Sequence, residues 1–398
     1  MRAMVGIALA AALLALPGCG TGIPDAMREY LERQANPFDL EQPLAKDSIG
    51  NVDGYRVFLA GETHTKAKDK QAEKLLVRYF HEHEGVRYLL WETGFGSGLL
   101  LDRYLQTGSA DELDFYLEQL SGTMGYTQEE RDFWVWLREY NAALPDQQKL
   151  HVIGLDVDHQ PETAARGLSL LADGSADVGE AFAATLERAL SGDVQALEEL
   201  GQAIREQPEE AQAAFGSSYG WAVQFAENFD RTVRYYRGTE AERSSKSNDL
   251  RDEAMMANFR FVAERYPQEA FFGELGSEHV IQSACETEFC SSTHNRFAMR
   301  LDAAGSPVAG AVCSILLAHT EQGPLLLRSY SPSNADLDYR PFEQWFGQDV
   351  LFSLDEAGSP FAAGQSLVNQ GTDEGLSTTD YFQKLVLLSD SPDCTPLN

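Results

Sequence analysis

Basic side chains are scarce in this chain: 31 Lys and Arg stand against 62 Asp and Glu, a formal charge of −31. A surface of that sign repels phosphate backbones and anionic headgroups, which argues against nucleic acid and anionic lipid as partners. The acid excess itself is the ordinary signature of a solvated exterior. Cysteine is sparse as well, five residues with no C-x-x-C pair, so a thiolate zinc module is not expected. No G-x-S-x-G segment occurs, which removes the serine elbow of the usual α/β esterases. Beyond the first residues no apolar run is long enough to cross a bilayer, and neither an internal repeat nor a low-complexity tract is present.

What is present begins at the N-terminus. Arg2 precedes an uncharged run from Met4 to Leu16, the length of a signal-peptide core. The run ends in Leu16-Pro17-Gly18-Cys19, similar to a bacterial lipobox, so residues 1–18 are expected to be a lipoprotein signal peptide and Cys19 the lipidated residue. The membrane is then reached by the N-terminal lipid only. The expected location is the cell envelope, facing the periplasm or cell surface; the lack of Asp after Cys19 points to the outer membrane of a diderm. In such an oxidising compartment Cys285, Cys290, Cys313 and Cys394 are expected to form disulfides. Of the three connectivities open to four cysteines, proximity favours Cys285 with Cys290 and Cys313 with Cys394.

Residues 19–50 read as a tether and lead-in with a short helical piece at 26–33, and order is expected from Tyr55. Short apolar runs at 56–60, 87–91, 150–155 and 270–272 have the length of buried strands. The first two flank a helical pattern through Leu75, Leu76, Tyr79 and Phe80, which is a βαβ unit and implies parallel neighbours. Helical patterns follow at 99–105, 111–120 and 129–143, and again at 250–265, with a terminal strand pair at 308–317 and 325–328. From about 161 to 245 the chain is rich in Ala, Glu and Leu and carries no strand signal. The expected fold is α/β, a mainly parallel sheet flanked by helices, with residues 51–398 one domain interrupted by that helical insertion.

Ligands of open α/β sheets sit beyond the carboxyl ends of the strands. Here those ends are ionisable: Glu62 and His64 after the first, Glu92 after the second, Asp156, Asp158 and His159 after the third, and Glu274, Glu278 and His279 after the fourth. A lone acid there is commonly a helix cap and a lone His scaffold. Asp158, His159 and Glu274 are balanced between that role and function, whereas Glu62, His64, Glu92 and His279 together favour function. A carboxylate-held His can take a proton from water near neutral pH. The same four side chains are also a plausible set for a divalent metal that would activate water instead. His81 and His83, two apart near a helix end, point in different directions and read as surface residues rather than ligands; His294 and His319 show no partners in the sequence, and Trp134, Trp136 and the aromatic residues of 225–236 have core-like spacing.

The segment Gly61-Glu62-Thr63-His64, the Glu92 closing the next strand, and Arg251-Asp252-x-x-Met255-x-x-Asn258 followed by a later His resemble the erythromycin esterase-like proteins. Arg251, Met255 and Asn258 share one helical face. The Gly61-x-x-His64 spacing is similar to the related ChaN and Tiki proteins. The Trp-Ala-His-Asn segment typical of the macrolide esterases is here Leu275-Gly276-Ser277-Glu278-His279, a departure that points away from a macrolide as substrate. The resemblance implies a hydrolase of an ester or amide in a small molecule or peptide. Its implied catalytic set is Glu62, His64, Glu92, Arg251 and His279, with His64 as base and Arg251 and His279 handling charge on the substrate. Asp156, Asp158, His159, Asp252, Glu274 and Glu278 are the expected binding residues. No cofactor is required on this reading; the alternatives are a metal-dependent hydrolase of Tiki type and a haem- or iron-binding lipoprotein of ChaN type.

Overall fold

The computed structural model describes residues 23–172, 179–239, 249–286, 295–320, 337–364, 366–369, 371 and 375–397. The expected signal peptide, Cys19, Cys290, His294 and the strand at 325–328 lie outside the described residues. Eight strands form one sheet: β1 (Ala35–Pro37), β2 (Val57–Glu62), β3 (Tyr88–Gly94), β4 (His151–Asp156), β5 (Phe271–Gly276), β6 (Val312–Thr320), β7 (Val350–Ser353) and β8 (Lys384–Ser389). Their order is β1-β7-β8-β6-β2-β5-β3-β4, with only β7 running against its neighbours. The mainly parallel sheet is as expected. Its strands are almost wholly buried, as continuous apolar runs covered on both faces must be.

One face packs α2 (Ala67–Glu84), α4 (Ala110–Gln119), α5 (Gln128–Ala143) and part of α3 (Phe95–Thr107) over Phe58, Leu89, Trp91, Val152 and Phe272. The other packs α11 (Asp249–Arg265) and α13 (Phe297–Asp302) over Leu59, Leu90, Leu155 and Phe271. Helix α2 stops at Gly85, whose left-handed backbone (φ 69°) closes the last turn, and α5 starts on Thr127, which accepts the Glu130 N–H. Helix α3 lies so close to β4 that a Cβ on Gly98 would stand 2.0 Å from the Gly154 nitrogen. Between β4 and α11 run α6 (Pro161–Ser169), α7 (Glu180–Leu190), α8 (Val194–Glu206), α9 (Pro208–Phe215) and α10 (Tyr219–Arg237), with a core of their own around Phe225 and Leu200. The four-residue α12 (Ser277–Val280) follows β5 directly. Among the described residues no helix is long and apolar enough to cross a membrane.

Three expectations change. The lead-in is built into the sheet: α1 (Asp25–Gln34) buries Met27, Tyr30 and Leu31, and β1 pairs with β7. The first two strands of the βαβ unit, β2 and β3, are not neighbours, because β5 enters between them and pairs with both. The disulfide between Cys313 and Cys394 does not form; both thiols are free. Cys313 sits opposite Phe58 at the start of β2, while the Cys394 N–H bonds the Thr65 carbonyl beyond the other end of that strand. At about 3.3 Å per residue the two lie far outside disulfide reach.

Candidate active site

At the end of β2 the chain turns through Thr63, His64 and Thr65, and Thr65 adopts φ 73°, a conformation a β-branched residue rarely takes. The turn presents His64 with its side chain half exposed and its Nδ1 on Glu62 Oε1. Asp69, one turn into α2, accepts the Thr63 N–H at 2.7 Å and is held in turn by His319 Nε2 at 2.8 Å. His319, which shows no partner in the sequence, is therefore part of the turn's support. Attraction to Glu62 raises the His64 pKa to about 9, so the ring is mainly protonated at neutral pH and becomes a base as the pH approaches that value.

His64 and Glu92 come together across the intervening strand because β5 ends in glycine. A Cβ on Gly276 would lie 3.3 Å from both Glu92 Oε2 and His64 Cε1, and the Gly276 N–H itself donates to Glu92 Oε2 at 2.6 Å. On its other oxygen Glu92 accepts Arg251 Nη2 at 2.5 Å, with His279 Nε2 at 3.4 Å. Arg251 Nε also reaches Asp156 Oδ2 at 2.7 Å, and His279 Nδ1 reaches Asp252 Oδ1 at 2.7 Å. Asp252 further binds the Phe297 N–H and Arg296. Burial would raise the Glu92 and Asp252 carboxyls, but His279 and the neighbouring guanidinium groups outweigh it and hold both down. In the same way Arg251 and His159 bring Asp156 to about 2, and Asp252 and Glu92, against burial, lift His279 to about 10.

The helix motif explains this placement. Asn258 donates to the Leu155 carbonyl at 2.6 Å and to Asn228 of α10 at 3.1 Å, which fixes α11 on the end of β4 with Arg251 aimed at the strand ends. Arg251 and His279 thus stand behind Glu92 and position it, and neither lines the cleft. Asp158 is placed elsewhere: it accepts the Gly96 N–H at 2.9 Å and Asn228 Nδ2 at 3.2 Å, capping the start of α3, and burial lifts its pKa to about 7. His159 lines the cleft and touches Asp156 Oδ2 at 3.2 Å. Glu278 lies on α12 and is not part of the cleft wall.

The cleft, about 260 Å³, is lined by Glu62, His64, Glu92, Lys70, Tyr116, Glu130 and Glu274, with Trp91 and Met124 adding apolar surface. Lys70, Glu130 and Tyr116 were not apparent from the sequence. One signal existed: Asp69, Glu73, Leu76 and Phe80 form a single helical stripe, so two acids occupy positions in line with core residues. The C-terminal segment closes one rim, where Lys66 Nζ meets Asp393 at 2.7 Å and the Thr395 N–H meets Glu129 at 2.8 Å.

A divalent cation does not fit Glu62, His64, Glu92 and His279 as they stand. The Arg251 guanidinium occupies the Glu92 oxygen that a cation would need, both His279 nitrogens face carboxylates, and His64 Nδ1 is taken by Glu62. Among the described residues no three His, Cys, Asp or Glu side chains converge to hold an ion.

At the carboxyl edge of a mainly parallel α/β sheet stand a His–Glu pair and a buried Arg–Glu–His network, and the chain is similar to the erythromycin esterases in sequence and in fold. The erythromycin esterase family model matches residues 81–273, which contain Glu92, Asp156 and Arg251, begin after His64 and end before His279. Over 141 residues the chain is 25% identical to erythromycin esterase type II of Escherichia coli, covering 32% of this chain. It spans about a third (31%) of that relative's length. The fold is shared with a Bacillus cereus protein (TM-score 0.66, 17% identity, 93% of this chain and 98% of that one). It is also shared with the erythromycin esterase EreC in an open conformation (TM-score 0.62, 15% identity, 91% and 99%). A solved succinoglycan biosynthesis protein aligns equally well (TM-score 0.65, 15% identity, 94% and 98%).

Proposed function

We propose that this protein is a hydrolase that activates water with a His–Glu site to cleave an ester or amide in a small molecule or peptide. The observation that carries the reading is the meeting of His64, paired with Glu62, and Glu92 over the bare backbone of Gly276, all three side chains lining the cleft. In its neutral form His64 takes a proton from water, and the hydroxide equivalent adds to the carbonyl carbon. Glu62 holds the ring's orientation and stabilises the imidazolium that forms. Glu92, kept ionised by Arg251 and His279, adds a fixed negative charge beside that imidazolium. No side-chain nucleophile is needed. A screen of alkyl and aryl esters and short peptides, run on wild type and His64→Ala, tests this. Turnover that falls by about 10²–10⁴ in the variant, with melting unchanged, supports the reading, and equal turnover in the two proteins contradicts it.

The chain is, on the same footing, a lipoprotein anchored through Cys19 in the cell envelope. Cys19→Ser is expected to move the protein from the membrane fraction to the soluble fraction with its fold intact. Unchanged membrane retention would sink the anchor.

A further inference from the structure

Behind the cleft floor lies a carboxyl that the hydrolase reading leaves unused. Glu73 of α2 is fully buried, and neither of its carboxylate oxygens accepts a hydrogen bond from an ordinary donor among the described residues. Lys70 Nζ approaches it to 3.1 Å, but that ammonium is shared, 3.0 Å from Glu130 and 3.5 Å from Glu274. Glu130 has donors of its own in Trp134 Nε1 at 2.7 Å and the Tyr116 hydroxyl at 3.3 Å. Glu73 and Glu274 share the Lys70 ammonium. Alternation along β5 turns Glu274 to the same face as Phe272, toward α2, and it also lines the cleft. Both carboxyls are buried, and with Glu130 they crowd three acids onto that one ammonium. The other charged groups facing the pair are Glu62 at the end of β2 and His64 across the cleft. One ammonium among so many buried acids cannot keep all of them ionised.

We propose that Glu274, carrying the proton that this crowded acid cluster retains, is the general acid of this site. The proposal rests on the hydrolase reading for its chemistry. His64 takes a proton from water as the new C–O bond forms. When the tetrahedral intermediate collapses, the bond to the leaving alcohol breaks and its oxygen takes the Glu274 proton. The pair is left doubly ionised beside Lys70, and the proton held by His64 returns to it through solvent. One water is consumed, and acid and alcohol are released. Burial, opposed by the charge of Lys70, raises both acids, Glu274 to about 7 and Glu73 well above the usual carboxylate range.

Two measurements test this. Infrared difference spectra of the full chain should show the C=O stretch of a protonated carboxyl at neutral pH, lost in both Glu73→Gln and Glu274→Gln. Titrating the wild-type band upward from neutral pH keeps the test available if a variant does not fold. Hydrolysis of ethyl butyrate, whose alkoxide must be protonated to leave, should fall about 100-fold in Glu274→Gln. Hydrolysis of p-nitrophenyl butyrate, whose phenolate leaves unaided, should fall less than about 10-fold on the same argument. Absence of the band in a protein that turns over overturns this inference alone, as do equal losses on the two esters. The band without turnover on any ester overturns the hydrolase reading, and the acid role with it.

Discussion

The two faces of the sheet's carboxyl edge hold their charges differently. On the α11 side, Glu92, Asp156 and Asp252 meet Arg251, His279 and Arg296, and every carboxylate has a cation or N–H at hydrogen-bond distance. On the α2 side, Glu62, Glu73, Glu130 and Glu274 have Lys70 and the His64 ring between them. Matched charges stay ionised and hold geometry; unmatched ones take up protons. The first nest therefore positions Glu92, and the second holds the groups that, on the proposed reading, exchange protons with substrate and water.

The largest effect expected from breaking this contrast is Arg251→Met, which leaves Glu92 and Asp156 buried without their shared cation. A loss of about 3–5 kcal/mol in denaturant unfolding is expected. Lys70→Met should cost less, and its penalty should shrink as the pH is lowered, because the carboxyls around it can take protons in place of the ammonium. Equal penalties at all pH values would erase the distinction between the nests. Next in size is the pH dependence of melting. His64 and His279 have folded pKa values of about 9 and 10 against about 6.5 unfolded. Their stabilisation is complete below about pH 6.5 and is lost as pH rises through 9 and 10. Asp156, at about 2, gives the reverse: its contribution holds above about pH 4 and is lost as pH falls through 2. Melting should decline on the alkaline side, and His279→Gln should flatten that decline; an unchanged slope would show that the nest is not its source. The smallest change expected is Thr65→Gly, which relieves a backbone strain of about 1–3 kcal/mol. Melting should rise slightly while turnover falls as His64 loses its fixed turn, and a rise in both would show that the strained turn does not serve the site.

Much of this edge was legible before the structure. The four strand ends were found because short apolar runs end in ionisable residues, and the face shared by Arg251, Met255 and Asn258 was real: Arg251 meets Glu92, Met255 is core, and Asn258 ties α11 to β4. The helical run after β4 matched the absence of a strand signal. Strand order was not legible, since nothing local to β5 states that it inserts between β2 and β3. The strands β7 and β8 were missed although Lys384-Leu-Val-Leu-Leu-Ser389 is an apolar run of strand length. Its buried Lys384, paired with Asp355 and donating to the Ser353 hydroxyl, makes that run look like a surface segment. The roles of Asp158 and of Lys70, Glu73 and Glu130 depend on contacts between distant elements, which single-chain patterns do not carry.

The most direct test of the site is a double-mutant comparison at the pair that touches. His64→Ala, Glu62→Gln and the double variant would be assayed on the best ester from the screen, with melting followed in parallel. Residues acting as one unit are non-additive, so the double variant should be no slower than the slower single, with folding retained in all three. Singles with near-normal turnover, or a double variant whose loss is the product of two independent losses, would contradict a His64–Glu62 pair at the centre of the chemistry.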